Sequence, residues 1–121
     1  MKLESDSENS RVVRASLINI KTSPRKLAVV ASSVCGKTVA YAQQQLQFCA
    51  KRISLDVYKC IMSAVANAQN NHGFAVDKLV VQKITVGKGL TLKRMECRAR
   101  GRSNIKKKHY SNLYVQLGLV I

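Results

Sequence analysis

Between Gly87 and His109 stand nine cations, Lys88, Lys93, Arg94, Arg98, Arg100, Arg102, Lys106, Lys107 and Lys108, against the single acid Glu96. Side chains of this kind at this density do one chemistry, which is the neutralisation of a polyanion. Arg98, Arg100 and Arg102 alternate with Ala99 and Gly101. If that run is extended, the three guanidiniums share one face, where their planar forks suit phosphate oxygens and can stack on bases. The small residues between them let a ligand approach the backbone.

Other chemistries are poorly served. The carboxylates Asp56, Asp77 and Glu96 are dispersed, so no pair is set for general acid–base work or for a catalytic metal. Cys35, Cys49, Cys60 and Cys97 form no C-x-x-C spacing, and His72 and His109 lie far from them, so no metal site is expected. They read as reduced thiols. Gly36-Lys37-Thr38 invites a nucleotide-binding reading, but a phosphate-cradling loop needs a glycine where Ala31 stands. His72 reads as part of a helix-ending run. The chain is therefore expected to be a non-enzyme with no cofactor.

Its 121 residues carry a net charge of +15, with 46% hydrophobic residues and no Trp. That composition supports one folded domain and a nucleic-acid partner. Aromatic residues make up 5%, so base stacking is not expected to dominate binding. No run approaches a membrane span. Residues 1–10, with Glu4, Asp6 and Glu8, read as a loose solvated tail without the marks of a secretory signal or transit peptide.

The elements that must position the cations follow from periodicity. Arg11–Lys21 is β-branched and short enough for a strand, with Arg11, Arg14 and Lys21 to one side or at its ends. Ser23 and Pro24 then open a helix whose apolar face is Leu27, Val30, Ala31 and Val34, ended by Gly36. Arg25 and Lys26 fall in its first turn, where the helix dipole disfavours cations unless a phosphate binds. Thr38 caps a second helix, Val39–Cys49, with Val39, Ala42, Leu46 and Cys49 inward. Lys51-Arg52 makes a basic turn. Ser54 caps a third helix, about Leu55–Asn71, whose apolar face is Val57, Ile61, Ala64, Val65 and Ala68. Gly73 ends it. Phe74–Val86 reads as a strand with Val76, Val80, Ile84 and Val86 on one face. The last strand turns Leu113, Val115, Leu117 and Leu119 inward.

The expected fold is α+β, a small three-stranded antiparallel sheet on three helices. A long hairpin, about residues 87–108, protrudes from it within the single domain 11–121. At about ten residues per arm its tip stands roughly 30 Å from the sheet. Its apolar residues are isolated, so it cannot bury itself and takes its order from the bound polyanion.

The segments Ser63–Gly73 (SAVANAQNNHG) and Gly89–Asn104 (GLTLKRMECRARGRSN), with Thr22–Lys26 (TSPRK) and the Cys35-Gly36-Lys37 turn, closely resemble the bacterial-type large-subunit ribosomal protein twenty-two family. The likeness covers about Arg11 to Val120. It implies a domain on the outer surface of the large ribosomal subunit and a hairpin threaded through ribosomal RNA to the wall of the nascent-peptide exit tunnel. By position, it implies RNA contacts at Lys93, Arg94, Arg98, Arg100 and Arg102 on the extension. Nearer the domain these expectations extend to Arg11, Arg14, Lys21, Ser23, Arg25, Lys26, Lys37, Lys88, Lys106, Lys107, Lys108 and His109. The tunnel-lining tip is expected at Lys93, Arg94, Met95, Glu96, Cys97, Arg98, Ala99 and Arg100. Cys97 stands where many relatives carry proline.

The partners so implied are large-subunit ribosomal RNA, neighbouring ribosomal proteins and the nascent peptide, with no membrane and no homo-oligomer. The implied location is the ribosome of a bacterium, cytoplasmic, or else of an organelle. The charge alone would equally suit an architectural nucleic-acid-binding protein outside the ribosome.

Overall fold

The β-branched run after Arg11 forms β1 (Val12–Ile20), and the computed structural model describes residues 12–120. The expected tail, residues 1–10, and Arg11 lie outside them. Three helices follow: α1 (Pro24–Val34), α2 (Val39–Gln47) and α3 (Ser54–His72). Two long strands complete the chain, β2 (Leu79–Cys97) and β3 (Ser103–Leu119). All three strands form one sheet in the order β1-β3-β2, and both pairings are antiparallel. The α+β architecture with a protruding hairpin is as expected from the sequence.

One side of this sheet is the core. Leu113, Val115 and Leu117 of the central strand are fully buried with Val13, Leu79 and Val81 beside them. The helices supply the opposing layer through Leu27, Val34, Leu46, Val57, Ile61 and Ala64. The inward positions read from the helical periodicity are all buried except Cys49, which is half-buried.

Several local expectations change. Ser54 does not cap α3: Ile53 holds that position, and the buried Ser54 hydroxyl donates to the Lys51 carbonyl at 2.6 Å. Ser23 and Thr38 occupy the cap positions of α1 and α2 with extended backbone, yet neither side chain makes the capping hydrogen bond. Gly73 ends α3 in the left-handed region at φ 64°, as only glycine does cheaply. Phe74–Lys78 is not strand, because Val76–Lys78 forms a tight 3-10 turn and β2 begins at Leu79.

Within β2 the inward set also shifts. Leu79 and Val81 face the core rather than Val80, and a bulge at Gln82 then moves the alternation by one. Ile84 and Val86 therefore do face inward, paired with Val115 and Leu113.

Gly36-Lys37-Thr38 serves this strand. The Gly36 N–H donates to the Val81 carbonyl at 2.8 Å, and the Val81 N–H donates back to the Lys37 carbonyl at 2.9 Å. Thr38 bridges Val80. The turn covers the outer edge of β2, and the amide that a phosphate loop would offer is already used.

Past the core, β2 and β3 continue together as a two-stranded finger. A second bulge, between Lys88 and Thr91, marks its root. Pairing then runs unbroken from Thr91 with His109 to Cys97 with Ser103. At the root, a Cβ on Gly89 would stand 3.0 Å from the Tyr110 carbonyl carbon and oxygen and 3.2 Å from the Ser111 nitrogen. Those are backbone atoms of the paired strand and cannot swing aside. Gly89→Ala is therefore expected to part the strands at the bulge and destabilise the protein by about 1–3 kcal/mol in thermal denaturation. Gly87→Ala, whose added methyl would meet only the Tyr114 ring at 3.7 Å, is expected to leave the midpoint nearly unchanged.

Candidate nucleic-acid interface

The register of the finger decides what its cations face. In an antiparallel pair, residues directly opposite share a side of the ribbon. Lys93 lies opposite Lys107, and Arg94 opposite Lys106. Two cation–cation pairs thus stand side by side on successive rungs, one on each face. Such pairs destabilise a free ribbon. Leu92 faces Lys108, so the run Lys106–Lys108 has no acid across from it. Every residue from Lys93 to Lys108 is exposed except Glu96, which is half-buried.

The finger's carboxylate does little to offset this. Glu96 lies 3.3 Å from an Arg98 guanidinium nitrogen, and the two side chains keep 40% and 56% of their surface in solvent. An ion pair in that setting contributes little and is screened by salt. The apolar residues of the ribbon find no cover either, since Met95 and Ile105 face one another at 77% and 65% exposure.

At the tip the condition under which the three arginines would share a face, an extended run, is not met. Ala99–Gly101 is a tight turn, with Arg100 at φ 60° and Gly101 at φ 69°. The Arg98 N–H donates to the Arg102 carbonyl at 2.8 Å and closes it. The three arginines therefore wrap around the end of the finger instead of lining one face. Closing a hairpin needs left-handed residues, and Arg100-Gly101 supplies them; alternation alone does not register that demand.

At the base, the finger meets α1. Ser23, Arg25, Lys88, Thr91, Lys93, Lys107 and His109 line a cleft of about 440 Å3 there. A second cleft, of about 640 Å3, is lined by Thr22, Arg25, Lys26, Lys51 and Arg52. Arg25 belongs to both, so the two make one cationic belt around the start of α1. That first turn carries no acid and no side-chain cap from Ser23, which leaves its amides for an anion.

The sequence model of ribosomal protein L22p/L17e matches residues 15–118. The chain belongs to that family. It is 46% identical over 108 residues to the large ribosomal subunit protein uL22 of Neorickettsia sennetsu, spanning 89% of this chain and 96% of the relative. Against the uL22 of Orientia tsutsugamushi it is 45% identical over 108 residues, 89% and 93% of the two chains. With that of Methylobacterium nodulans it shares 51% over 96 residues, 79% and 76% of the two.

The finger and the belt bring together most residues expected from the sequence. Arg25, Lys88, Lys93, Lys107 and His109 meet in one cleft, Lys26 joins the second, and Lys21 reaches the belt through its carbonyl, which accepts from Arg52 at 3.2 Å. Lys37 stands apart, with its ammonium 5.7 Å from the centre of the Tyr41 ring. Arg14 is on β1, on the side of the sheet away from the helices, opposite Gln116. Arg11 lies outside the described residues.

Lys51 and Arg52 are legible in the sequence only as a basic turn. Their placement beside Arg25 and Lys26 comes from the packing of α3 against the sheet, although two neighbouring dibasic turns are a signal in themselves. Among the described residues no three His, Cys, Asp or Glu side chains converge, and burial pushes the Cys60 thiol up to about 11. No helix of the described residues is long and apolar enough to cross a membrane.

The facing cations make a prediction of opposite signs. Lys107→Glu turns the Lys93 pair into an attractive one. At low salt it should raise the thermal stability of the free protein by about 0.2–1 kcal/mol. The same change should weaken RNA binding and flatten its dependence on salt, since each phosphate left without its cation takes about 0.7–0.9 from the slope. Titrations at several salt concentrations beside thermal melts measure both.

Proposed function

We propose that this protein is a structural constituent of the large ribosomal subunit, that it binds the subunit's ribosomal RNA and supports its assembly, and that its finger lines the nascent-peptide exit tunnel. The observation that carries the RNA reading is the ribbon itself. It sets cation against cation on consecutive rungs and leaves its apolar side chains uncovered, an arrangement favourable only among phosphates. Family membership supports the large subunit as the place, because the matched relatives are large-subunit proteins of bacteria. The ribosome in question is then that of a bacterial cytoplasm.

Each part of the site has a distinct role in this reading. The belt around Arg25, Lys26, Lys51 and Arg52 grips the phosphate backbone at the subunit surface. Lys88, Lys93, Lys107 and His109 hold RNA in the angle between α1 and the finger. Lys106 and Lys108 with Arg94 take phosphates on the other face. Met95 to Arg100, at the tip, meet the tunnel and the nascent peptide passing through it. Neighbouring ribosomal proteins are the remaining partners. The reading requires no catalysis and no cofactor.

Shortening the finger tests it. A variant lacking residues 93–102 loses Lys93, Arg94, Arg98, Arg100 and Arg102 but none of the core. Its circular dichroism should stay native, while its affinity for large-subunit ribosomal RNA falls and the salt slope drops by up to about four. It should also be depleted from large subunits recovered after a high-salt wash. An unchanged slope would contradict the reading.

A further inference from the structure

β1 does not run straight into α1. Strict alternation after Val13, Ala15 and Leu17, which pack inward, would turn Asn19 inward and Ile20 outward. Instead Ile20 is buried and Asn19 is exposed. The cause is a bulge. Leu17 pairs with Leu113 and Ile20 with Ser111, so Ile18 and Asn19 together stand across from Asn112 alone. Asn19 takes φ 60°, a left-handed conformation that residues with a Cβ seldom adopt. Its N–H is held by the Asn112 side chain, whose Oδ1 accepts at 3.1 Å. Asn112 is half-buried and pairs on its other side with Gly87, at the root of the finger.

The path from this bulge to the cations of α1 is short and tight. The Thr22 N–H donates to the Ile20 carbonyl at 2.8 Å, Arg52 donates to the Lys21 carbonyl at 3.2 Å, and Pro24 opens the helix. Ile20 shares one row of the sheet with Ser111 and Lys88. The bulge therefore sets where Arg25 stands across the cleft from Lys88, Lys93, Lys107 and His109. A slip of one residue would turn Ile20 out of the core and swing the start of α1 with it. We infer that Asn112 is a positioning residue for RNA binding: by holding the Asn19 amide it fixes the angle between α1 and the finger, so that Arg25 and the finger's cations grip one stretch of phosphate backbone together. Asn112 carries no charge, and its acceptor is engaged with Asn19, so it acts through Arg25 rather than on phosphate. The inference rests on the RNA-binding reading above and adds the residue that sets the spacing of its two cationic arms.

The test uses the full chain and large-subunit ribosomal RNA, titrated at several salt concentrations well below the melting midpoint of each variant. Asn112→Val removes the acceptor and keeps a strand-forming residue. It should bind RNA about tenfold more weakly, which is the worth of one charge-assisted contact. Its salt slope should fall by about 0.7–0.9 although no charge has been removed, because the Arg25 contact is lost with the bulge. For the same reason Arg25→Ala should cost about tenfold in the parent and under about threefold in Asn112→Val. Arg94→Ala, on the other face of the finger, should cost the same in both. Adding Asn19→Gly should bring Asn112→Val back to within about threefold of the parent, since glycine holds a positive φ without help.

An unchanged salt slope for Asn112→Val would overturn the inference, as would losses that simply add to those of Arg25→Ala. A loss that Asn19→Gly leaves in place would overturn it too. Should Asn112→Val not fold, Asn112→Ser, whose side chain falls short of the Asn19 amide, must give the same results or the inference fails. A parent chain whose RNA affinity does not respond to salt would overturn the RNA-binding reading, and the inference with it. A parent that responds to salt, beside variants whose losses add, overturns the inference alone.

Discussion

Repulsion between facing cations is the constraint around which this molecule is built. Lys93 and Lys107, then Arg94 and Lys106, are held directly opposite by a backbone ladder that their side chains oppose. The Cβ atoms in such pairs are about 5 Å apart, and water and salt screen the charges without reversing their sign. Glu96 is the one acid of the ribbon, and its exposed pair with Arg98 at 3.3 Å cannot compensate. A finger of this kind is incomplete by itself. Phosphates on both faces would turn each repulsive rung into a clamp, which is why the same residues weaken the free protein and strengthen the bound one.

Everything below the finger serves to present it. Making β3 the central strand ties the finger to β1 on one side and β2 on the other. The helical layer fixes that strand through Leu113, Val115 and Leu117, so the finger grows from the best-buried part of the fold. The two bulges in β2 then set its course. The one at Gln82 re-aims the alternation so that Ile84 and Val86 reach the core, and the one beside Gly89 closes the strands tightly where the core ends. Arg25, at the uncapped start of α1, sits in the angle so formed and extends the positive surface from the finger to the turn at Lys51 and Arg52.

Much of this is legible from periodicity and charge because both are local. The helical faces through Leu27, Val57, Ile61 and Ala64 follow from a spacing that only burial explains, and the finger follows from cations flanked by strands. What escapes is non-local. Val80 reads as an inward residue because the bulge at Gln82 leaves no mark in an alternating pattern. Ser54 has the composition of a helix cap, but packing draws it inside, where its hydroxyl satisfies the Lys51 carbonyl. The arginines of the tip alternate as a strand would, and the need to reverse the chain within Ala99–Gly101 overrides that pattern.

Amide hydrogen exchange on the intact protein tests the central claim most directly, measured at low salt with and without large-subunit ribosomal RNA. The account predicts that amides of Leu92–Cys97 and Asn104–Lys108 exchange much faster than those of Leu113–Leu117 in the free protein, and that RNA slows them most of all. Finger amides as well protected as the sheet before any RNA is added would contradict it, because the facing cations would then cost the ribbon nothing.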